Sequence, residues 1–152
     1  MRYWLMKSEP DETSIDDLMA EPQRAFEWTG VRNYQARNFM RDDMQAGDRV
    51  LFWHSSCAEP GIAGLAEVVG SAHADSSQFD PASPYYDAKS TPEAPRWQCV
   101  DVRFLSKTPL LTPALLRQHP PLEQMQVLKK GNRLSITPVS QTEWEYITTQ
   151  LC

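Results

Sequence analysis

The apolar residues of this chain fall into short runs with a period of two, which predicts β-strands. In residues 49–54 the apolar side chains occupy both faces of the predicted strand, since Val50 and Phe52 share one face and Leu51 lies on the other. A strand that is apolar on both faces belongs in the middle of a sheet that is covered on both sides. Further strands are predicted at residues 3–6, 62–69, 97–105 and 134–139.

Helices are predicted where the apolar spacing changes to three and four residues. This spacing marks residues 33–44, where Ala36 and Met40 fall on one face. Capping-box patterns predict two more helix starts, at Ser14 and at Ser140, because a serine is followed three residues later by an acidic residue. Shorter helical pieces are predicted at residues 112–118 and 122–128.

The order of these elements indicates an α+β fold. Strands and helices do not alternate regularly, so a doubly wound parallel sheet is not expected. A small mixed or antiparallel sheet, curved toward a barrel and decorated with helices, fits the order. Between the strands, residues 71–96 are rich in Ser, Asp, Ala and Pro and predict a long loop. With 152 residues, the chain is expected to form a single domain spanning 1–152.

The net charge limits the kinds of partner that the protein can have. It is -5 at pH 7, with an isoelectric point of about 5.2. Proteins that coat nucleic acid by neutralising phosphates are usually basic. Any nucleic-acid binding must therefore depend on a local basic patch and a specific pocket. The 5 Trp, 5 Tyr and 5 Phe residues predict that such a pocket is aromatic.

The cysteines and histidines indicate reduced thiols and no metal site. They are scattered, without a Cys-x-x-Cys pair, at Cys57, Cys99, Cys152, His54, His73 and His119. We therefore expect a cytoplasmic protein that needs no metal and no organic cofactor. The apolar run at the start is too short for a signal peptide, and no membrane association is expected.

Motifs of catalysis are missing from the sequence. Neither Ser55 nor Cys57 lies in a nucleophile-elbow pattern, and there is no phosphate-binding glycine loop. Glu9, Asp11 and Glu12 are neighbours, yet carboxylates without a known spatial partner do not define a reaction. The sequence favours a binding module over an enzyme, although side chains that are distant along the chain could still meet.

Several segments carry a specific resemblance to one family. The most specific are K-S-E-P at residues 7–10 and W-T-G-V-R-N-Y-Q-A-R-N at residues 28–38. Matching segments follow at residues 47–55, 64–68, 85–87 and 131–139. Together they resemble the EVE domain of the thymocyte nuclear protein type.

The resemblance implies a fold and a class of ligand. The fold would be PUA-like, a twisted mixed β-barrel with peripheral helices, related to YTH and ASCH domains. YTH domains hold a methylated base in an aromatic cage, and EVE domains are similarly linked to modified cytosines in DNA. We therefore expect a reader of a modified base in DNA or RNA, with a pocket at the rim of the barrel.

Two sets of residues are expected to form this site. A base extruded from its strand would be stacked and read by a ligand-binding set: Lys7, Ser8, Trp28, Val31, Asn33, Tyr34, Trp53 and His54. The flanking phosphates would be held by three arginines: Arg32, Arg37 and Arg133.

Each of these residues also has a structural interpretation. Trp28 and Trp53 could be core residues, and Asn33 could be the N-cap of the helix that follows it. Ser8 could stabilise a turn, and His54 could have a structural role. Arg32 and Arg37 could belong to a solvated helix face.

The sequence departs from the family in two places. Trp53 stands where a tyrosine is frequent, which keeps the aromatic ring and loses a hydroxyl group, and no basic extension precedes the first strand. Both features favour a bacterial protein, expected to be a monomer. Two alternatives remain open: a small hydrolase acting on a nucleoside or related molecule in the same pocket, and a protein–protein adaptor.

Overall fold

Six strands form one mixed sheet in the computed structural model, which describes residues 1–152. The strands are β1 (Tyr3–Ser8), β2 (Phe26–Glu27), β3 (Arg49–His54), β4 (Gly61–Ala74), β5 (Gln98–Leu111) and β6 (Ile136–Val139). Their order in space is β2-β5-β4-β3-β1-β6. β1 and β3 run parallel, and every other neighbouring pair is antiparallel.

The sheet is open, so it does not close into the barrel that was predicted. The mixed α+β architecture is confirmed, but the edge strands β2 and β6 are not hydrogen-bonded to each other. They have only 2 and 4 residues, too few for a continuous ladder between the two edges. β4 and β5 are longer than predicted, at 14 residues each, and register shifts interrupt their pairing. Such irregularities bend the strands and increase their twist.

Four short helices lie against the sheet: α1 (Ile15–Ala20), α2 (Tyr34–Asn38), α3 (Pro113–Arg117) and α4 (Gln141–Tyr146). α2 and α4 continue as π-helical turns, at Phe39–Asp43 and Ile147–Leu151. Single 3₁₀ turns lie at Ser76–Phe79, Pro120–Leu122 and Gln126–Leu128. Both predicted capping boxes are confirmed at the starts of α1 and α4. None of the helices combines the length and the apolar character that crossing a bilayer requires.

The sheet separates two hydrophobic cores. Val50 and Phe52 lie in one core, together with Trp4, Trp28 and the apolar side of α2. Leu51 lies in the other core, which α3 and the C-terminal helical segment help to cover. The prediction that the strand at residues 49–54 is buried on both faces is therefore confirmed.

Gly64 allows α1 to pack directly on β4. A Cβ atom at this position would lie 2.3 Å from Cγ1 of Ile15, the first residue of α1, and 2.8 Å from the Ser106 carbonyl oxygen. Ile15 is fully buried, and its backbone amide donates a hydrogen bond to Nε2 of His54 at 3.1 Å. These contacts hold α1 and the loop before it beside the ends of β1 and β3.

Candidate functional site

A cleft of about 660 Å³ opens where the parallel strands β1 and β3 end. It is lined by residues from five segments of the chain, within 7–13, 26–32, 55–56, 77–85 and 133–135. The carboxyl ends of parallel strands meet at one edge of a sheet, and the connections that leave them create a concave surface there. The backbone amide of Ser55 donates to the Ser8 carbonyl oxygen at 2.9 Å, which joins two of these connections.

Arg32 is held inside the protein by several groups. Its guanidinium donates to Asp75 Oδ2 at 3.0 Å and to the Tyr85 carbonyl oxygen at 2.7 Å. It also lies 5.2 Å from the ring centroid of Trp97, a distance typical of a cation–π contact. Arg32 therefore clamps the loop after β4 onto the loop after β2. This role differs from the predicted phosphate contact, because its donors are already used.

Asp75 is a buried residue that connects the same two loops. It is 1% exposed, and its carboxylate accepts hydrogen bonds from Arg32, from the Gly30 amide at 2.9 Å and from the amide and hydroxyl of Ser77 at 2.8 and 2.6 Å. A carboxylate buried with this many donors is well satisfied. The shape of the cleft wall therefore depends on one buried charge.

Tyr85 forms one side of the cleft and was not among the predicted site residues. Its hydroxyl donates to Glu12, and burial together with this carboxylate raises the pKa of Tyr85 to about 12. Gly30 faces the ring, with a φ of +87°, and a Cβ atom there would lie 2.7 Å from the ring carbons. The only sequence signal for Tyr85 was its presence in one of the family-like segments.

Trp28 belongs both to the core and to the cleft. It is 7% exposed, and its ring packs edge-on against Phe52 with 5.3 Å between the centroids. Its indole Nε1–H makes no hydrogen bond within the protein. Every buried side-chain nitrogen has a hydrogen-bond partner, so this N–H must be accessible to solvent. Because Trp28 lines the cleft, it offers a hydrogen-bond donor there and only a small part of its ring.

Two cations in the cleft have no ion pair. Lys7 is half-buried, and burial lowers the pKa of its ammonium group. Arg133 is exposed. Ser8 also lines the cleft, but its hydroxyl donates to the Thr13 carbonyl oxygen at 2.8 Å, so it is free only as an acceptor. Val31, 6% exposed, adds apolar surface.

Three of the predicted residues lie around the start of α2, outside the cleft. The Asn33 side chain caps α2 by accepting from the Ala36 amide at 3.0 Å. Tyr34 is 52% exposed and stacks on Trp97, with 4.8 Å between the ring centroids. Arg37 donates to the Arg96 carbonyl oxygen at 2.7 Å and lies over the Tyr34 ring. The structure therefore gives Asn33 the capping role that was its alternative interpretation.

The last two predicted residues, Trp53 and His54, lie on β3 and do not line the cleft. Trp53 follows Phe52, so its side chain lies on the opposite face of the sheet, where it is 5% exposed in the second core. His54 lies on the same side as Phe52, but its Nε2 is occupied as the acceptor for the Ile15 amide. Neither side chain lines the cleft.

His54 should lower the stability of the protein in mild acid. Burial lowers the pKa of His54, with Asp16 raising it and Lys107 lowering it to smaller extents. As the pH falls below about 6.5, the ordinary pKa of histidine, the unfolded chain therefore binds this proton before the folded chain does. The stabilising contribution is complete above pH 6.5 and is lost as the pH falls through the pKa of the folded state.

An NMR titration of the histidine ring protons would measure this shift, and a midpoint at or above the ordinary value would contradict it. His54→Gln keeps an acceptor for the Ile15 amide and does not titrate. Unfolding of this variant should therefore depend less on pH than unfolding of the wild type, when both are compared one unit above and one unit below about pH 6.5.

Curated relatives match almost the entire chain. The EVE domain family matches residues 2–150. Human thymocyte nuclear protein 1 is 42% identical over 163 residues, which cover 95% of this chain and 72% of the human protein. The chicken protein of the same name is 40% identical and is covered to 66% of its length. The chain thus spans about two thirds of the length of these relatives.

Solved structures share the fold over a similar extent. A crystal structure of a protein from Pseudomonas syringae is 48% identical with a TM-score of 0.90, covering 96% of this chain and 97% of that one. Human thymocyte nuclear protein 1, crystallised in complex with DNA containing 5-methylcytosine, is 41% identical with a TM-score of 0.88, covering 97% and 95%. The resemblance found in the sequence is therefore confirmed, and the chain belongs to the EVE domain family.

Proposed function

We propose that this chain is a nucleic-acid-binding module that receives one modified base, such as a 5-substituted cytosine, in the cleft. The observation that carries the proposal is the set of polar groups in the cleft that have no partner within the protein. Besides Arg133, they include the Lys7 ammonium group, the Trp28 indole N–H and the Glu9 carboxylate. The human relative crystallised with DNA containing 5-methylcytosine supports the choice of ligand.

The unpaired groups match the edge of a base that carries an amino group. Cytosine presents an amino donor at N4 and acceptors at its ring nitrogen and carbonyl oxygen. Glu9 supplies a carboxylate that can accept from the amino group, while Lys7 and the Trp28 N–H can donate to the acceptors. Thymine and uracil have a carbonyl oxygen in place of the amino group, so they would place an acceptor against this carboxylate.

The size of the cleft suits a single base that has left its stack. A volume of about 660 Å³ lies within the range of about 300–1,000 Å³ for small-molecule sites. Extruding a base costs a few kcal/mol, which the contacts in the cleft must offset. Tyr85 and the accessible part of Trp28 provide aromatic surface for this purpose.

Contact with Val31 would give a base that carries a methyl group a modestly higher affinity than the unmodified base. Burying one methyl-sized group is worth about 0.8 kcal/mol, which corresponds to about a fourfold difference in affinity. Val31 is 6% exposed and lines the cleft, so it can contact such a group. Discrimination much greater than fourfold would require closer packing than burial alone provides.

Phosphate contacts in this arrangement are few. Arg133 is the exposed arginine of the cleft without an ion pair, whereas Arg32 and Arg37 are held by groups of the protein. The net charge of -5 adds no general attraction to a polyanion. Because the salt dependence of binding scales with the number of phosphates neutralised, we expect a shallow dependence.

A binding titration with matched oligonucleotides tests this proposal. The strands should be single and double, identical in sequence, and should carry 5-methylcytosine, cytosine or thymine at one central position. We expect binding to be tightest with 5-methylcytosine and weakest with thymine. Lys7→Ala should weaken binding tenfold to a hundredfold, because a hydrogen bond to a charged group is worth about 1.5–3 kcal/mol.

Lys89→Ala is the matched control, since Lys89 is an exposed lysine outside the cleft. It removes the same charge and should leave the affinity almost unchanged. Equal affinity for the three strands, or equal losses in the two lysine variants, would contradict the proposed pocket. Circular dichroism and thermal unfolding of each variant show whether a loss of binding comes from the cleft or from the fold.

A further inference from the structure

The sheet brings together three donor side chains that are far apart in the sequence. His73 of β4 is paired with Cys99 of β5, and Glu27 of β2 is paired with Asp101, two residues further along β5. Alternate residues of a strand point to the same face, so these side chains converge on one side of β5. Sequence spacing gave no sign of this cluster, because Glu27 and Cys99 are 72 positions apart.

The donor atoms lie close to the separations found around a bound metal ion. Cys99 Sγ is 3.8 Å from Glu27 Oε1, and 3.9 and 3.8 Å from Nδ1 and Nε2 of His73. One donor atom from each of the three residues lies within 4.8 Å of the others. Tetrahedral zinc, with bonds of about 2.0–2.3 Å, places its ligand atoms about 3.3–3.6 Å apart. The donor atoms lie slightly farther apart than this, and the His73 ring must turn for one of its nitrogens to face the other two donors.

We propose that Glu27, His73 and Cys99 bind one Zn²⁺ ion or a chemically similar divalent transition-metal ion, with the fourth position open to solvent. Sulfur, imidazole and carboxylate donors in one site suit zinc and cobalt and do not suit magnesium or calcium, which prefer oxygen ligands. This proposal does not depend on what the cleft binds.

The surroundings of the three residues orient their donor atoms. His73 Nε2 lies 2.8 Å from Asp101 Oδ1, so the ring can donate to a carboxylate and present Nδ1 to a metal, as in many zinc sites. Nδ1 faces the Ala74 carbonyl oxygen at 3.0 Å, so the ring must turn away from this acceptor for Nδ1 to bind a metal. The Ser76 amide donates to Glu27 Oε1 at 2.7 Å and limits the movement of that carboxylate.

The electrostatic environment favours a cation over a reactive thiol. Glu27 and Asp101 form no ion pair with lysine or arginine. A Cys-His-Asp arrangement can also act as a nucleophile, but that role needs an accessible thiolate, and Cys99 is fully buried.

Calorimetric titration of the purified, metal-free protein with Zn²⁺, and optical titration with Co²⁺, test the site. We expect one ion per chain and a sulfur-to-cobalt charge-transfer band in the near ultraviolet. Cys99→Ser should abolish the band, and Asp101→Asn, which alters only the partner of His73, should weaken binding tenfold to a hundredfold. Cys57→Ser removes an exposed thiol elsewhere and should change neither result.

His73→Gln serves as a further variant at a half-exposed position, in case Cys99→Ser fails to fold. It should lower the affinity at least tenfold and reduce the rise in melting temperature that the metal causes in the wild type. Failure of the wild type to bind Zn²⁺, a cobalt spectrum without the sulfur band, or a loss of binding in Cys57→Ser would overturn the proposal. The oligonucleotide titration in metal-free buffer is independent of all these outcomes.

Discussion

Replacing Asp75 by alanine is expected to lower the free energy of unfolding by about 3–5 kcal/mol, which is a large part of the stability of a small domain. The carboxylate accepts from Arg32, from the Gly30 amide and from two groups of Ser77, and it is almost completely buried. Removing it leaves the Gly30 amide and the two Ser77 groups without this acceptor, at a cost of about 1–3 kcal/mol for each donor that stays buried. Arg32 keeps the Tyr85 and Val31 carbonyl oxygens but loses its charged partner.

Chemical denaturation monitored by tryptophan fluorescence measures this loss. Glu93→Ala is the matched control, because Glu93 is an exposed carboxylate in the same long loop and forms no ion pair. It should change the stability by less than about 0.5 kcal/mol. A similar, small change in both variants would mean that the clamp between the two loops contributes little.

Replacing Trp28 by alanine should also cost about 3–5 kcal/mol, the usual range for removing a large aromatic side chain from a core. Trp28 is 7% exposed and packs against Phe52, and its backbone amide donates to the Val100 carbonyl oxygen at 2.9 Å. Any loss of nucleic-acid binding in Trp28→Ala would therefore combine damage to the core with damage to the cleft. Denaturation curves of the purified variant measure the loss in the free energy of unfolding directly.

Trp28→Phe separates the two effects. Phenylalanine keeps most of the apolar contact with Phe52 but has no N–H to present to the cleft. We expect a smaller loss of stability than in Trp28→Ala, together with weaker binding of the oligonucleotide that carries 5-methylcytosine. Unchanged affinity in Trp28→Phe would show that the indole N–H does not contact the base.

The central strands and the helix caps were predictable because their signals are local. The apolar positions of β3 depend only on alternation along six residues, and the capping boxes at Ser14 and Ser140 need only four residues each. β2 could not be predicted, since its two residues are extended only because they pair with β5. The last four residues of β4 continue the Ser- and Ala-rich composition of the loop and were assigned to it, because their pairing with β5 cannot be read from the local sequence.

The candidate site was predictable only in part. The motif around Trp28 places Val31 in the cleft because the chain between them is short, and this proximity needs no knowledge of the fold. Whether Trp53 faces the cleft depends on the face of β3 on which it lies. Arg32 has Asp75 and Tyr85 as its partners, and both lie in a loop more than forty residues further along the chain. Local patterns contain no information about that contact.

The position of β1 between β3 and β6 has a consequence for the order of folding. Tyr3 is paired with Arg49 on one side and with Val139 on the other, so the first strand of this domain is completed by its last strand. Pairings this distant in sequence slow the folding of a domain. Until residues 136–139 are available, one edge of β1 has unpaired amide and carbonyl groups. During synthesis, that edge is where two incomplete chains would pair with each other.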